Sequence, residues 1–387
     1  MASNLSIAFV ANTSWSIYKF RLYLLEKLSE QGFTIYVLAP RDPYTVHFEQ
    51  IPGLTYIELK KLRSKSISPR QDWLLYRELL GHYRRIRPSL IFHYTIKANI
   101  FGTLAAHRAR IPSVSVITGL GYTFVGKGWL QTAVKFLYRQ ALQKNTQTWF
   151  LNEDDRSVFI AEKLVRPEKT FVLPGEGVDT DIFYPAPYEL PDLPSAPPKP
   201  VTFLLIGRLI RPKGICEFVA AAEQLRRQGL SIRCQVLGFY DQPNPASIPR
   251  QQVEEWDRSG VITYLGHTDN VVPFIGEADC IVLPSYYREG MPLSLLEGAS
   301  MCKTLIATDT AGCRDIITDG VNGYLCGEKD PAALAEKMKA YYQLPAAAKR
   351  QMGMEGRNKV LQYFKKEIIT GIYLDKINTL RVAGQGQ

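Results

Sequence analysis

The sequence predicts an α/β protein built of two doubly wound, Rossmann-like domains. Three observations lead to this fold class. Short apolar patterns of strand type alternate with patterns of helix type through the first half of the chain, the same alternation begins again after residue 200, and seven prolines stand between Pro185 and Pro200. Strands that alternate with helices at such spacing form a parallel sheet covered on both faces. Two such series predict two sheets, with ligands at the carboxyl ends of the strands in a cleft between the domains.

The first domain, predicted over residues 1–184, begins with a strand-like run at residues 5–10. A polar loop follows at residues 11–16, and apolar residues at three- and four-residue spacing then predict a helix that stops at Gly32. The later elements of this half are the predicted strands 34–38, 90–92 and 113–117 and the apolar helix 100–109.

Residues 185–200 are predicted to be a linker, because proline at that density supports neither a helix nor a central strand. The second domain is predicted over residues 201–361, and residues 362–387 are expected to form a C-terminal helix or tail that packs on the first domain. The strands predicted in the second domain are residues 202–206, 233–237, 262–265, 280–283 and 304–307, and the helices are residues 215–226, 293–300 and 332–341.

Charge is divided unevenly between the two halves. The chain has a formal net charge of +10, and residues 1–185 carry +9 of it because they hold 24 Lys and Arg against 15 Asp and Glu. A basic half of this kind indicates an anionic partner, such as nucleic acid, a membrane surface or a phosphorylated ligand. Nucleic acid is not expected, since no known nucleic-acid-binding module is present and the basic residues are not interleaved with aromatic stacking positions.

The sequence argues against several classes of protein. Residues 1–18, the longest stretch without Lys, Arg, Asp or Glu, are too polar for a membrane-spanning helix and lack the basic start of a signal peptide, so we expect a cytoplasmic protein. The six cysteines include no Cys-x-x-Cys pair and the five histidines no metal-ligand spacing, which predicts reduced thiols. Neither G-x-G-x-x-G after a first strand nor a P-loop occurs, which argues against nicotinamide dehydrogenases and P-loop NTPases.

The first strand of the second domain leads into a basic turn. Gly207 and Arg208 end the strand and Lys213 precedes the next helix, so two cations lie where backbone N–H groups and the helix dipole favour an anion. Arginine offers a two-pronged contact to phosphate oxygens and lysine a mobile point charge. The turn alone leaves two interpretations open, an anion site and a solvated basic turn.

A second run, EGMPLSLLE at residues 289–297, follows the predicted strand 280–283. Glu289 is expected in the loop before a helix and Glu297 about one turn inside it, with roughly 10 Å between the two carboxylates. Carboxylates so far apart cannot share one small group, but they suit two hydroxylated sugars on either side of a diphosphate. A helix cap and a surface glutamate would explain either residue alone, but not their placement together with the basic turn.

These motifs resemble glycosyltransferase family 4. The likeness rests on the turn G-R-x(4)-K-G, on the run E-G-x-P-x(4)-E and on residues 307–315 and 319–324, and it extends over nearly the whole chain. The resemblance implies a retaining enzyme with the GT-B fold and a nucleotide-sugar donor. In the first half, residues 40–42, 93–100 and 118–122 are similar to one branch, whose enzymes extend lipid-diphosphate-linked glycans for capsule, O-antigen or protein glycosylation.

The resemblance implies donor-binding roles in the second domain. Arg208 and Lys213 would bind the donor diphosphate and stabilise the charge on the departing nucleotide. Glu289 would contact hydroxyls of the transferred sugar, and Glu297 would hold the ribose hydroxyls. The base, expected to be uracil, would lie against the segment around Gly266 and His267, and the further donor-binding residues implied are Gly207, Gly290, Met291, Pro292 and Leu293.

The resemblance also implies an acceptor side in the first domain. Asn12, Ser14 and Trp15 would lie in a loop that approaches the diphosphate and the acceptor. His93 and Lys97 would face the cleft from the end of a strand.

One departure from the family concerns the catalytic histidine. Many members have a histidine after the strand at residues 114–117, where this chain has Thr118 followed by Gly119, both expected beside the acceptor. His93 is therefore our candidate for a catalytic role, with a structural histidine as the alternative. The front-face route usually described for this family lets the leaving phosphate take the acceptor proton and needs no protein base.

A literal D-x-D sequence stands just before the proline-rich segment, at Asp179-Thr180-Asp181. Such a sequence can mark a metal-bound nucleotide sugar, but its position matches an interdomain turn of the family. We therefore predict no metal and no cofactor, only a nucleotide-sugar co-substrate.

A predicted helix near residue 135 combines apolar and basic side chains. Its apolar members are Trp129, Val134, Phe136, Leu137, Tyr138 and Leu142, and its basic members are Lys127, Lys135, Arg139 and Lys144. Further cations before it are Arg63, Lys65, Arg70, Arg77, Arg84, Arg85 and Arg87. Such a helix could lie on an anionic membrane, with packing on the sheet as the alternative. Together with the basic half it predicts a peripheral location on the inner face of the cytoplasmic membrane.

The expected function is a retaining glycosyltransferase that moves a hexose or N-acetylhexosamine from a UDP-linked donor to a lipid-diphosphate-linked glycan or a polysaccharide. Two alternatives remain open. Another GT-B enzyme, such as an epimerase or an inverting transferase, is disfavoured by the pair Glu289 and Glu297. A non-catalytic nucleotide-sugar-binding subunit is the second alternative.

Overall fold

The computed structural model describes residues 5–63, 68–120, 129–185, 199–241 and 244–384, and it confirms the predicted fold class of two parallel, Rossmann-like sheets. The side chains of residues 129–130 and 381–384 are not described. Most of the predicted linker lies outside the described residues. The same holds for residues 121–122 of the first-half motif and for Lys65 and Lys127 among the predicted cations.

Contacts between residues divide the chain into two units. The first comprises the described residues up to 177 together with a C-terminal helix, Lys366–Gly384, and the second comprises residues 178–365. The second unit therefore begins before the predicted boundary at residue 184. The reason is that Val178 donates its backbone N–H to Phe364 at 2.9 Å and Phe183 is buried in the core of that unit.

The first unit contains a seven-stranded parallel sheet in the order β3-β2-β1-β4-β5-β6-β7. Its strands are β1 Ser6–Val10, β2 Thr34–Ala39, β3 Leu54–Glu58, β4 Leu90–Tyr94, β5 Ser113–Ile117, β6 Gln147–Phe150 and β7 Thr170–Val172. Its α-helices before the C-terminal one are α1 Ser14–Glu30, α2 Pro69–Ile86, α3 Thr103–Ala109, α4 Trp129–Leu142 and α5 Glu153–Ala161, with a π-helical turn at Ala98–Gly102. The strand order reverses between β1 and β4, which pair in register from Ile7 with Leu90 to Val10 with His93.

Helix α1 begins earlier than the apolar spacing indicated. Thr13 caps it, because its hydroxyl accepts the backbone N–H of Ser16 at 3.2 Å. Ile17 is already buried against the core one turn further on. Ser14 and Trp15, predicted in a loop, therefore lie in the first turn of a helix.

Helix α4 packs on the core of the first unit through most of its described apolar side chains. Four of its predicted apolar residues are buried in the core of the first unit or packed against it, namely Val134, Leu137, Tyr138 and Leu142. Lys135 forms an ion pair with Glu162 at 2.6 Å. Phe136 is the exposed apolar residue among those whose side chains are described. Among the described helices, none is both long enough and apolar enough to cross a membrane.

The second unit contains a six-stranded parallel sheet in the order β10-β9-β8-β11-β12-β13. Its strands are β8 Val201–Ile206, β9 Ile232–Leu237, β10 Thr263–Tyr264, β11 Cys280–Leu283, β12 Thr304–Thr308 and β13 Gly323–Cys326. Its α-helices are α6 Ile215–Arg227, α7 Arg250–Arg258, α8 Val272–Glu277, α9 Leu293–Ser300, α10 Ala311–Ile316, α11 Pro331–Gln343 and α12 Ala346–Tyr363, and a 3₁₀ turn spans Arg211–Lys213. The order reverses between β8 and β11, the position at which doubly wound folds bind ligands.

Candidate active site

The predicted donor residues of the second unit surround the reversal point of its sheet. Gly207 and Arg208 follow β8 directly, and the loop that contains Glu289 joins β11 to α9. Because β8 and β11 are paired and parallel, their carboxyl ends lie side by side. The 3₁₀ turn that ends at Lys213 stands at the same edge, just before α6.

Lys213 and Glu289 form an ion pair in this region. Lys213 Nζ donates to Glu289 Oε1 at 2.6 Å, and the hydroxyl of Ser285 donates to the same oxygen at 2.8 Å. The side chains of the pair are only 14% and 12% exposed. Charge-assisted hydrogen bonds are strong where little water reaches them. Two residues 76 positions apart in the chain thus form one charge-compensated site.

Backbone contacts hold the loop after β11 against the 3₁₀ turn. The N–H groups of Tyr286 and Tyr287 both donate to the carbonyl of Pro212, at 2.9 and 3.0 Å. Gly214 has φ +77°, and a Cβ there would lie 2.0 Å from the carbonyl oxygen of Pro284. Glycine is therefore required at this position, and the cation and the carboxylate are fixed by the backbone that carries them.

Arg208 is the more open cation of the site. Its guanidinium donates to Asp241 Oδ2 at 3.3 Å and lies 5.7 Å from the centre of the Tyr287 ring. Its side chain is 35% exposed. A cation with a long hydrogen bond and access to solvent can turn to a new anion. Asp241 and Tyr287 were not predicted, because each stands in a loop outside the motifs that indicated the site.

A close backbone approach joins the predicted base-binding segment to the basic turn. Gly238, directly after β9, donates its N–H to the carbonyl of Gly266 at 2.8 Å, and a Cβ on Gly238 would lie 1.8 Å from the carbonyl oxygen of Gly207. The His267 ring packs edge-on against Phe239, with 5.2 Å between ring centres. Gly238 was missed, although a glycine directly after a buried strand is a signal of close approach.

Helix α9 extends from the same loop. Glu297 is buried on it, with 4% exposure, and Pro292 occupies the cap position. Met291 packs partly on the core below, and a Cβ on Gly312 would lie 2.5 Å from the carbonyl oxygen of Gly290, so α10 contacts the loop backbone through a glycine. The N–H groups of the first turn of a helix have no partners within that helix, which makes this end a favourable place for an anion.

In the first unit, the predicted acceptor residues Asn12, Ser14 and Trp15 follow β1. The Ser14 hydroxyl donates to the carbonyl of Pro40 at 2.9 Å, and the backbone N–H of Trp15 donates to Asp42 Oδ2 at 2.8 Å. Asn12 is half-buried, and the Trp15 side chain is exposed. These contacts tie the start of α1 to the loop after β2.

The other predicted acceptor residues lie after β4 and β5. Lys97 forms an ion pair with Asp72 at 2.7 Å, and Thr118 and Gly119 are half-buried at the end of β5. Thr95, to which the sequence assigned no role, follows β4 with φ +72°, and its hydroxyl is buried without a hydrogen-bond partner among the described residues. A left-handed backbone is rare for a β-branched residue, and such outliers concentrate at functional sites.

The prediction that His93 faces a cleft as a catalytic residue is wrong. Its ring is fully buried on β4, with Nε2 2.8 Å from the Tyr83 hydroxyl and Nδ1 3.4 Å from the Thr103 hydroxyl. A Cβ on Gly102 would lie 2.5 Å from the ring, so the backbone packs directly on the imidazole. Burial lowers the pKa of His93 to about 3, which keeps the ring neutral. His93 is the structural histidine of the alternative interpretation.

The D-x-D sequence forms the turn that was expected of it. Asp179 Oδ1 accepts the backbone N–H groups of Asp181 at 3.0 Å and Ile182 at 3.1 Å. Over the described ranges of the chain, no three His, Cys, Asp or Glu side chains are grouped so as to hold a metal ion.

Two family models match the chain in succession. One, described as glycosyl transferase 4-like, matches residues 6–151, and the other, described as glycosyl transferases group 1, matches residues 200–343. The first range falls in the first unit and the second range in the second unit. The chain therefore belongs to the glycosyltransferases with the GT-B fold.

Individual proteins agree with this assignment. The N,N'-diacetylbacillosaminyl-diphospho-undecaprenol alpha-1,3-N-acetylgalactosaminyltransferase of Campylobacter jejuni is 28% identical over 343 residues, which are 86% of this chain and 88% of the relative. A solved glycosyltransferase from Rickettsia africae has a TM-score of 0.78 at 17% identity and covers 96% of this chain and 97% of its own. Anabaena HepE, solved with UDP-glucose, has a TM-score of 0.76 at 15% identity, with 97% and 100% covered. These two structures support the fold.

Proposed function

We propose that this chain is a retaining glycosyltransferase that transfers a hexose or an N-acetylhexosamine from a UDP-linked donor to a lipid-diphosphate-linked glycan or a polysaccharide. It would act without a divalent metal ion, on the inner face of the cytoplasmic membrane. The observation that carries the proposal is the ion pair between Lys213 and Glu289, beside Arg208, at the reversal point of the second sheet. This arrangement offers two cations and a carboxylate where doubly wound folds bind nucleotides.

The two cations match the charge of a sugar nucleotide. A diphosphate carries two negative charges, and a third develops on the departing phosphate oxygen as the bond to the sugar breaks. Arg208 can exchange its 3.3 Å contact with Asp241 for a phosphate oxygen. Lys213, already held by Glu289, adds a fixed charge nearby, and preorganised charge of this kind stabilises the transition state. The proposal of metal-independent transfer rests on these two cations.

Glu289 has two functions in this proposal. It orients the Lys213 ammonium through Oε1, and it accepts hydrogen bonds from hydroxyl groups of the transferred sugar. Glu297, buried eight residues further on, would accept from the ribose hydroxyls.

Retention of configuration would follow from attack on the face from which the nucleotide leaves. The acceptor oxygen bonds to the anomeric carbon while the bond from that carbon to the phosphate oxygen breaks, and the acceptor proton passes to that phosphate oxygen. This step needs no base from the protein, which is compatible with the enclosed position of His93.

The acceptor class is inferred from the relative and from charge. The Campylobacter jejuni protein is named for a diphospho-undecaprenol-linked acceptor, and its likeness covers 86% of this chain. The +9 charge of residues 1–185 fits an acceptor that carries a diphosphate and a membrane with anionic headgroups.

The first test measures thermal unfolding with UDP, GDP, ADP and dTDP in EDTA, for the wild type, Arg208→Ala and Arg211→Ala. Arg211 is the matched control, because it lies in the same turn but its guanidinium is exposed and 3.7 Å from Cys216 Sγ. UDP at a hundredfold excess over its Kd should add about 2.7 kcal/mol to the stability of the wild type. Arg208→Ala should bind UDP about tenfold to a hundredfold more weakly, and Arg211→Ala should bind as the wild type does.

The second test follows transfer from UDP-sugars to diphospho-undecaprenol-linked acceptors, with the product anomer determined by NMR. A product with the donor's configuration, formed in EDTA, is expected. An inverted product would refute the retaining mechanism, and activity that requires added Mg²⁺ or Mn²⁺ would refute metal independence. UDP binding without transfer to any acceptor would favour a non-catalytic binding subunit.

A further inference from the structure

A second basic site lies at the amino-terminal edge of the first sheet. Helices α2 and α3 end there, and each is followed by a short turn into a strand, from α2 into β4 and from α3 into β5. The two strands pair from Ile91 with Ser113 onward, so the turns that precede them are neighbours. Between them lies a groove of about 590 Å³. Its lining residues are Tyr83, Arg84, Arg87, Pro88, Ser89, Arg108, Ala109, Arg110, Ile111 and Pro112.

Four arginines line this groove and no carboxylate does. They are Arg84, Arg87, Arg108 and Arg110, all of them exposed. Among the described residues, none of the four guanidinium groups is paired with an Asp or Glu. Other cations of the same unit are paired, for example Lys97 with Asp72. Four like charges in the lining of one groove repel one another, and a bound anion would relieve this repulsion.

The helix ends explain only part of this arrangement. Cations in the last turn of a helix favour its negative end, which accounts for Arg84 and Arg108. Arg87 and Arg110 instead occupy the cap positions, with φ +41° and +58°. Glycine and asparagine are the residues that suit a left-handed cap, so arginine at both caps carries a backbone cost. The helix ends therefore do not account for the two arginines at the caps.

We propose that this groove binds a phosphate group. Guanidinium forks match phosphate oxygens in pairs, and a site with four of them and no acidic residue selects against cations and neutral ligands. Each of β4 and β5 has five residues, so the groove lies roughly 16 Å from the carboxyl ends of these strands, where the acceptor side is proposed. The groove is therefore a separate site, and its ligand is either a phosphodiester headgroup of a membrane lipid or a soluble phosphate compound.

The test compares two charge-matched double variants. Arg84→Gln with Arg108→Gln removes two groove charges at regular helix positions, so the turns keep their backbone. Arg77→Gln with Arg85→Gln removes two charges from α2 outside the groove, where Arg77 stacks on Trp73 and Arg85 contacts His82. Circular dichroism and the UDP-induced thermal shift confirm that each variant is folded with an intact donor site.

Binding is measured to phosphatidylcholine vesicles with and without phosphatidylglycerol, and by calorimetry to inorganic tripolyphosphate. The groove variant should bind the probe that the wild type binds about thirtyfold more weakly, because it lacks two basic residues that would lie near an anionic surface. The affinity of the control variant should fall far less. Binding to phosphatidylglycerol vesicles alone identifies a headgroup site, and binding to tripolyphosphate alone a soluble ligand. An equal loss in both variants, or no binding of either probe by the wild type, would overturn the proposal.

Discussion

Replacement of His93 by glutamine is expected to abolish a pH dependence of stability that the wild type carries. The imidazole is fully buried on β4, and burial lowers its pKa to about 3. In the unfolded chain the same side chain titrates near a pKa of about 6.5. The stability that comes from the neutral, buried ring is therefore fully present above pH 6.5, and it is lost as the pH falls towards 3, because only the unfolded chain takes up the proton.

The size of the effect follows from the two pKa values. Between them, each pH unit costs about 1.4 kcal/mol, so lowering the pH from 7.5 to 5.0 should remove about 2 kcal/mol from the free energy of unfolding. Glutamine does not titrate in this range, and its amide can still form a hydrogen bond with the hydroxyl of Tyr83. His93→Gln should thus lose about 2 kcal/mol less than the wild type over the same interval.

The assay is urea-induced unfolding of the wild type and His93→Gln at pH 7.5 and 5.0. The difference between the two proteins is compared at the two pH values, so the titration of all other groups cancels. His107→Gln, a substitution of the exposed histidine on α3, controls for the loss of an imidazole as such. A pH effect that is the same in the wild type and His93→Gln would refute the buried, neutral ring. A His93→Gln protein of wild-type stability but without transfer activity at pH 7.5 would restore the catalytic interpretation.

Three further predictions concern the backbone and the buried charges. Gly229→Ala should cost about 1–2 kcal/mol of stability, because Gly229 has φ +77° but no atom lies within 4 Å of the added carbon. Gly214→Ala, at the same φ, should cost several times more, because its added carbon would clash with the backbone of Pro284. Equal melting temperatures of the two variants would contradict this. Arg21→Met leaves the buried carboxylate of Glu176 without its cation and should lower the free energy of unfolding by about 3–5 kcal/mol in a denaturant titration. The double variant with Glu176→Leu should recover most of this loss. Thr95→Gly should keep the free energy of unfolding, measured by calorimetry, within about 1 kcal/mol of the wild type. Glycine relieves the strain of the left-handed backbone, and this gain offsets the larger conformational entropy of the unfolded chain. A loss of several kcal/mol would show that the backbone at Thr95 is not strained.

The sheets could be predicted from the sequence because parallel strands are buried on both faces and read as short apolar runs. The start of α1 could not be predicted from apolar spacing, since its first turn is marked by the capping hydroxyl of Thr13 and not by an apolar repeat. Thr13 followed three residues later by Ser16 is a weak capping signal, and in a polar stretch it is easily taken for a loop. Ser14 and Trp15 were assigned to the wrong kind of element for this reason.

Single polar residues were harder to place than motifs. Lys213 and Glu289 each belong to a run whose spacing already pointed to the end of a strand, and parallel topology brings such ends together. His93 stands on a strand, where successive side chains alternate between faces, and nothing local distinguishes a histidine that points to the core from one near a site. Its actual partner, Tyr83, comes from α2, an element that the apolar patterns alone did not define.

The charged residues near the reversal points of the two sheets are placed differently, and this difference supports the proposal that the donor binds the second unit. In the first unit, Arg21 lies over the ring of Tyr94, the last residue of β4, at 3.6 Å, and it is paired with Glu176. The side chains of Arg21 and Glu176 are only 3% and 8% exposed. Their charges are satisfied within the fold, and drawing Arg21 out to a phosphate would leave a carboxylate buried alone. In the second unit Arg208 follows β8, the strand that corresponds to β1, and its side chain is 35% exposed and makes only a long contact to Asp241. A diphosphate can therefore bind Arg208 of the second unit without breaking a buried ion pair such as that of Arg21 with Glu176.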